Sequence, residues 1–180
     1  MSLKRPKELI IRVILLLAGL AIAHLGVTLF IQAALGSDPF NVLIQGLFRA
    51  IPWPAFLMTH GRVHMTISFI IIIVLLIVDR KYIRIGTLIC MFLGGPIIDL
   101  YTVFLKNVLN EASPMPIRII MLVLGCVILA FGMTIVIKSE AGTGPNDLVA
   151  VVISDKSRIK FGIIRICVDA AFALFGFLLG

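Results

Sequence analysis

The sequence predicts an all-α, polytopic transmembrane helix bundle, and three observations support this prediction. Of the 180 residues, 61% are hydrophobic and only 14% are charged, so the mean hydropathy reaches +1.16. Uncharged runs long enough to cross a bilayer follow one another along the chain. The Lys and Arg residues, which give a net charge of +7, flank these runs and are not interleaved with aromatic residues. Soluble enzymes, nucleic-acid binders and disordered proteins are therefore excluded, and the lipid bilayer is the expected surrounding.

Five apolar segments are predicted to span the membrane. The first, Val13 to Leu35, holds 23 residues without a charge, or about 34 Å of helix against a hydrocarbon core of roughly 30 Å. Its basic start and an Ala-Ile-Ala triplet also resemble a secretory signal peptide, but the apolar run continues well past that cleavage site. The other four cover about His64 to Val78, about Ile83 to Leu105 with an interruption at Gly94-Gly95-Pro96, Ile119 to Ile137, and about Ile159 to Gly180.

Two further segments are mostly apolar but too short to cross a membrane. They are Pro39 to Ile51, between the first two spans, and Pro145 to Ser154, between the last two. We expect short helices that lie at the interface or dip into the protein. Proline suits the first position of a helix, and Asp38 and Gly144 stand where the N-caps would be.

The basic residues predict a cytoplasmic N-terminus. With the N-terminus inside, twelve of the 16 Lys and Arg residues, Lys4 and Arg5 among them, fall on the inner side. The outer side then receives only Arg49, Arg62, Lys106 and Arg118. This excess agrees with the positive-inside rule.

An internal similarity relates two parts of the chain. A shift of 106 residues aligns Gly19 to Leu43 with Gly125 to Val149, and seven of 25 positions are identical, including glycines, a threonine and a proline. About two or three identities are expected by chance between apolar segments. One interpretation is that two membrane helices happen to end in similar Gly-x-x-Pro turns. The other is a repeat whose first copy has three spans, an odd number, so that the second copy is inverted as in many secondary transporters.

The repeat predicts one transmembrane domain, residues 1–180, in two parts. The first copy covers about 9–110, and the second, about 115–180, is incomplete because it lacks a sixth helix of about 20 to 30 residues. We therefore expect the natural chain to continue past Gly180. Six helices are few for a transporter, which favours a homodimer or a partner membrane protein. Small residues offer close helix contacts for such an assembly at Gly19, Gly26, Gly125 and Gly132.

Four stretches carry a resemblance to a known family: residues 35–43, 84–88, 95–99 and 142–148. They resemble the signature stretches of the YczE/YyaS/YitT-type bacterial membrane proteins, and the pair of Gly-x-x-Pro turns is the most distinctive part. The resemblance covers nearly the whole chain. It implies a cytoplasmic (inner) membrane protein with five or six helices, and it lends no established substrate or catalytic residue.

Three ionisable residues inside the spans are predicted to couple transport to a proton or a substrate: His24, Asp99 and Asp169. A charge in hydrocarbon is costly and usually faces the protein interior or water. His24 and Asp169 would lie near the midplane. The alternative is that His24 is a neutral helix-helix hydrogen bonder and that Asp169 pairs with Arg165 at i, i+4.

The two Gly-x-x-Pro turns are predicted to form broken backbone beside the pathway. A helix N-terminus exposes free N–H groups and the positive end of the dipole, so two such ends facing a cavity could hold a ligand. The alternative is simple capping of interfacial helices. The residues concerned are Gly36, Ser37, Asp38 and Pro39 in the first turn, and Thr143, Gly144, Pro145 and Asn146 in the second.

Other motifs speak against catalysis. His60 and His64 have the i, i+4 spacing of a metal pair, but no Glu or Cys nearby completes a site. Cys90, Cys126 and Cys167 are too far apart for a CxxC motif and are interpreted as small buried hydrophobic residues. We predict no enzyme, no cofactor and no metal, but a small-solute permease that works by alternating access. The alternative is a non-transporting partner or assembly subunit of a larger membrane complex, including a substrate-binding subunit of an importer.

Overall fold

A computed structural model describes residues 6–107, 109 and 112–180; Lys4 and Arg5 lie outside this range. The regular structure in the described part is helical, which confirms the all-α prediction. Five of the helices are long and apolar enough to cross a membrane. Two short 3₁₀ turns also occur, and the α-helices are α1 (Pro6–Ala33), α2 (Pro39–Ala50), α3 (His60–Val78), α4 (Ile85–Leu105), α5 (Met115–Lys138), α6 (Pro145–Ser157) and α7 (Phe161–Leu179).

The helix boundaries differ from the sequence prediction in ways that local chemistry explains. α1 ends at Ala33 because Ala34 adopts a left-handed conformation with φ 49°, so Leu35 is outside the helix. α3 begins four residues earlier than predicted, because the Thr59 side chain accepts a hydrogen bond from the Arg62 backbone N–H and caps it. α4 is a single helix over nearly the predicted range, and it continues through Pro96 as membrane helices often do.

Helices α1 and α5 pack antiparallel through glycines. Gly19 lies against Gly132, and Gly26 lies against Gly125, each without room for a Cβ atom. The small residues therefore let the two backbones approach closely. The expectation that these glycines mediate a homodimer is wrong, because the same chain already occupies them.

Polar contacts mark the two ends of the α1–α5 pair. At one end, the guanidinium of Arg118 donates to the carbonyl oxygens of Ala33 (2.7 Å) and Ala34 (3.0 Å). At the other end, Arg12 and Glu140 form an ion pair of 2.8 Å. The turn after α1 and the turn after α5 therefore leave the pair at opposite ends.

The remaining helices pack around this pair, again at glycines. α2 lies along α7, with Gly46 against Gly176, and α3 lies along α4, with Gly61 against Gly95. α6 contacts α3, α4 and α7. Of the three cysteines only Cys90 is buried, so the prediction of buried thiols is wrong for the other two, which lie on exposed helix faces.

Candidate functional site

The two short helices begin beside one small cavity. Its volume is about 70 Å³, and it lies among the middle of α1, the first halves of α3 and α4, and α5. The first turn of α2 and the first turn of α6 both line it, although they come from opposite ends of the α1–α5 pair. The polar residues in its wall are His24, Asp38, Asn41, His64, Cys90, Asn146 and Asp147.

Asp38 holds the first of these turns. Its carboxylate accepts hydrogen bonds from the backbone N–H of Asn41 (3.3 Å), the Asn41 side-chain amide (2.8 Å) and the Ser37 hydroxyl (3.2 Å). Asp38 is therefore the N-cap of α2, with Pro39 at the first helical position, as predicted. Gly36 permits the preceding corner, since its φ of 128° is strained for any residue with a side chain.

Asn41 connects the cavity to a wider pocket. Because its amide NH₂ donates to Asp38, its carbonyl oxygen faces the other way and accepts from Nε2 of His60 at 3.2 Å. The other ring nitrogen of His60 lies 2.9 Å from the amide oxygen of Gln45. Asn41, Gln45 and His60 line a pocket of about 300 Å³ together with Gly36 and Ser37. A chain of polar side chains thus leads from this pocket to the cavity.

The second turn presents Asp147, which sequence reasoning did not include in the site. Gly144 is the N-cap residue of α6 and Pro145 is its first helical residue, but no side chain of the described residues caps this helix. The Asp147 carboxylate instead accepts from the guanidinium of Arg165 and, at 3.3 Å, from Asn146. Burial raises the pKa of Asp147, and the charge of Arg165 opposes that shift. Its position could have been found, because the 106-residue shift aligns it with Asn41.

Asp169 does not reach the cavity wall. Its carboxylate accepts from Nε of Arg165 at 2.8 Å, which is the i, i+4 pairing given above as the alternative. Arg165 therefore bridges two carboxylates, one from α6 and one from α7. Asp169 is connected to the cavity residue Asp147 through that guanidinium, and its coupling role stays a prediction.

Asp99 also lies outside the cavity wall. Its carboxylate accepts from the Thr59 hydroxyl (2.7 Å) and from the backbone N–H of Gly61 (2.9 Å). These bonds tie α4 to the first turn of α3 and satisfy donors that the turn leaves free. Of the three coupling candidates, only His24 faces the cavity.

A pair of histidines forms part of the cavity wall. His24 donates from Nδ1 to the Leu20 carbonyl oxygen at 2.8 Å. The His64 ring lies edge-on to His24, with centroids 5.9 Å apart, and to Phe40 at 5.2 Å. Nδ1 of His64 is buried and finds no hydrogen-bond partner among the described residues. The i, i+4 spacing suggests His60 as the partner of His64, yet the two rings diverge, since His60 turns towards Asn41 and Gln45 in α2.

The second turn also borders a pocket at the opposite end of the α1–α5 pair. This pocket measures about 460 Å³, and Gly142 and Thr143 line it with Arg12, Arg84 and Glu140. Gly142 has a φ of 149° and corresponds to Gly36 under the 106-residue shift. Both turns therefore border an open pocket on one side and the shared cavity on the other.

Comparison with known proteins places these features in a family. The family model described as "Family of unknown function (DUF6198)" matches residues 10–180. The protein YyaS of Bacillus subtilis is 31% identical over 154 residues, covering 86% of this chain and 74% of the relative. The membrane protein YczE of Bacillus subtilis is 30% identical over 152 residues, covering 84% of this chain and 66% of the relative. A Haemophilus influenzae protein is 26% identical, over 92% of this chain and 72% of its own length. No solved structure matches.

Proposed function

The chain belongs to the DUF6198 family and is an integral membrane protein similar to YczE, and from that premise we propose that it is a small-solute permease of the cytoplasmic membrane. It works by alternating access around the cavity between the two turns. The observation that carries this proposal is the convergence of two helix N-termini, from opposite ends of the α1–α5 pair, on one polar cavity. Secondary transporters bind solutes at such broken helices near the midplane.

Inverted repeats would explain the pattern of helix contacts. Under the 106-residue shift, Gly19 corresponds to Gly125 and Gly26 corresponds to Gly132. The contacts of Gly19 with Gly132 and of Gly26 with Gly125 then exchange with each other, as they must about a pseudo-two-fold axis. The same shift relates α2 to α6 and α3 to α7. The contact between α2 and α7 therefore corresponds to the contact between α6 and α3, and both contacts are present. These exchanges support an inverted second copy and the pseudo-symmetric cavity it would enclose.

Alternating access then has a physical form in this molecule. The 300 Å³ pocket beside Ser37 and the 460 Å³ pocket beside Thr143 flank the cavity from opposite ends. Rocking of one repeat against the other would join the cavity to each pocket in turn. Gly36 and Gly142 are the hinges of this motion, because their positive φ values place the bends at the turns themselves. The excess of basic residues on that side supports a cytoplasmic location for the Thr143 pocket.

The buried thiol of Cys90 provides the test, because it lies in the cavity wall and is only 4% exposed. A variant that keeps Cys90 and replaces Cys126 and Cys167 by Ala is reconstituted into vesicles. A membrane-impermeant methanethiosulfonate reagent is then added from either side. We expect modification of Cys90 from both sides, because each open state exposes the cavity to one side. A variant that keeps only Cys126 is the control for reagent that reaches thiols through lipid.

Two outcomes would contradict the proposal. If Cys90 reacts from neither side, the cavity does not open and the non-transporting membrane partner becomes the better description. If single cysteines at Ser37→Cys and Thr143→Cys react from the same side, the inverted arrangement is wrong. Reaction of these two cysteines from opposite sides, with Cys90 reached from both, supports the permease.

A further inference from the structure

We propose that the cavity binds a small monovalent cation with N–H donors, of the ammonium or methylammonium class. The claim that this cation is the transported solute rests on the proposed permease, whereas the claim that the cavity binds it does not. It follows from the charges around the cavity, from an unsatisfied buried nitrogen and from the size of the space.

The charges around the cavity favour a cation. Asp38 and Asp147 line it, and no Lys or Arg does so among the described residues. Arg165 lies behind Asp147 and is shared with Asp169. Counted with Asp38, these three carboxylates and the one guanidinium carry a formal charge of −2. The helix N-termini would ordinarily attract an anion, but each already has a carboxylate in its first turn or at its cap. A second negative group would meet repulsion there, whereas a cation would be attracted.

The histidines supply hydrogen-bonding capacity that the protein leaves unused. Because Nδ1 of His24 donates to Leu20, the neutral ring offers Nε2 as an acceptor. His64 is 7% exposed and lines the cavity, and its buried Nδ1 has no hydrogen-bond partner in the described part of the chain. Buried polar atoms in proteins are nearly always paired, so this nitrogen indicates a missing partner. Imidazole nitrogens and carboxylates together would accept the N–H groups of an ammonium ion.

The size and composition of the wall restrict the cation further. A volume of about 70 Å³ holds a few water-sized groups. This admits ammonium or methylammonium and is too small for bulky quaternary amines. No group of three or more His, Cys, Asp or Glu side chains in the described part of the chain could hold a metal ion. Hydrogen bonding, not metal coordination, is therefore the favoured mode of binding.

Protection of Cys90 measures this binding in detergent, where the cavity must open to admit the reagent but no flux across a membrane is required. The variant that retains only Cys90 is treated with N-ethylmaleimide in ammonium chloride or in choline chloride at equal ionic strength. We expect about tenfold slower modification when ammonium exceeds its dissociation constant by about tenfold. Methylammonium should protect as well. The variant that retains only Cys167, an exposed thiol that does not line the cavity, is the control, and its rate should be the same in both salts.

Charge-removing variants identify the carboxylates that bind. Asp38→Asn keeps a good N-cap and Asp147→Asn keeps a hydrogen-bond acceptor for Arg165, so both retain the local geometry. Each should raise the ammonium concentration for half-protection by about tenfold or more. Asp155→Asn is the matched control, because that exposed carboxylate accepts from the Tyr82 hydroxyl and does not line the cavity.

The outcomes separate the inference from the permease proposal. The inference is overturned if Cys90, in the variant that retains only this cysteine, is modified at equal rates in ammonium chloride and in choline chloride. It is also overturned if acetate or phosphate protects Cys90 and ammonium does not. Equal protection by sodium or potassium overturns the assignment to N–H donors. Protection by ammonium in detergent, with Cys90 reached from only one side in vesicles, refutes alternating access but leaves the binding site in place. If Cys90 is reached from both sides but ammonium does not protect it, alternating access is supported and the binding site for ammonium is refuted.

Discussion

Replacing Gly26 by Ala tests the close contact between α1 and α5 on which the cavity depends. A Cβ atom at this position would lie 2.7 Å from the carbonyl oxygen of Gly125 and 2.7 Å from the backbone nitrogen of Leu129. Ordinary contacts of a Cβ begin at 3.4 Å, so the added methyl group is about 0.7 Å too close. Both neighbours belong to helix backbone and cannot rotate away. The two helices must therefore separate.

The size of the effect follows from two opposing terms. Overpacking a close contact costs about 1–3 kcal/mol. Ala gains up to about 1 kcal/mol over Gly in the middle of a helix. Because both clashing atoms are backbone, the upper part of the cost range applies, about 2–3 kcal/mol, and the net loss in the free energy of unfolding is about 1–2 kcal/mol. For a chain of this length, the melting temperature should fall by about 2–8 °C.

Thermal unfolding of the purified protein in one detergent, followed with a thiol-reactive dye, measures this loss. Gly162→Ala is the matched control, because Gly162 lies in the first turn of α7 with no atom within 4 Å of the added methyl group. The control should melt at the wild-type temperature or slightly above it. If Gly26→Ala melts with the control, the backbones of α1 and α5 are not in close contact at this point, and the reasoning is refuted.

Four further substitutions, one of them a control, test the two turns and the polar contacts near them by the same unfolding measurement. Arg165→Gln should lower the free energy of unfolding by about 3 kcal/mol, because it leaves two half-buried carboxylates without their guanidinium. Arg12→Gln is the control: its ion pair with Glu140 is more exposed, so the loss should be less than about 1 kcal/mol. Equal losses of stability in the two variants would contradict the burial of the Arg165 contacts. Gly142→Ala should cost about 1–3 kcal/mol because of its φ of 149°, and a neutral result would mean that the corner has another conformation. Thr59→Val should cost about 1 kcal/mol by removing the cap of α3 and a bond to Asp99, and an unchanged stability would show that neither bond contributes.

Sequence alone determined the class of fold and the positions of its helices. Every backbone group in a bilayer must be paired within the protein, so long uncharged runs could only be helices, and length and composition were sufficient to find them. Proline after a capping residue located the starts of the two short helices at Pro39 and Pro145, because proline has no N–H to satisfy. The boundaries of α1 and α3 depended on a left-handed residue and a side-chain cap, which the apolar pattern does not record.

Only the tertiary structure decided which polar residues meet. His24, His64 and Asp147 share one cavity wall, whereas Asp99 and Asp169 are paired elsewhere. The residues of this wall are up to 127 positions apart, from Leu20 to Asp147, and their meeting depends on how each helix is rotated about its axis. In a soluble protein a polar face would reveal that rotation. In a membrane the lipid-facing and buried faces are equally apolar, so the rotation is set by close packing at glycines and cannot be found from hydropathy.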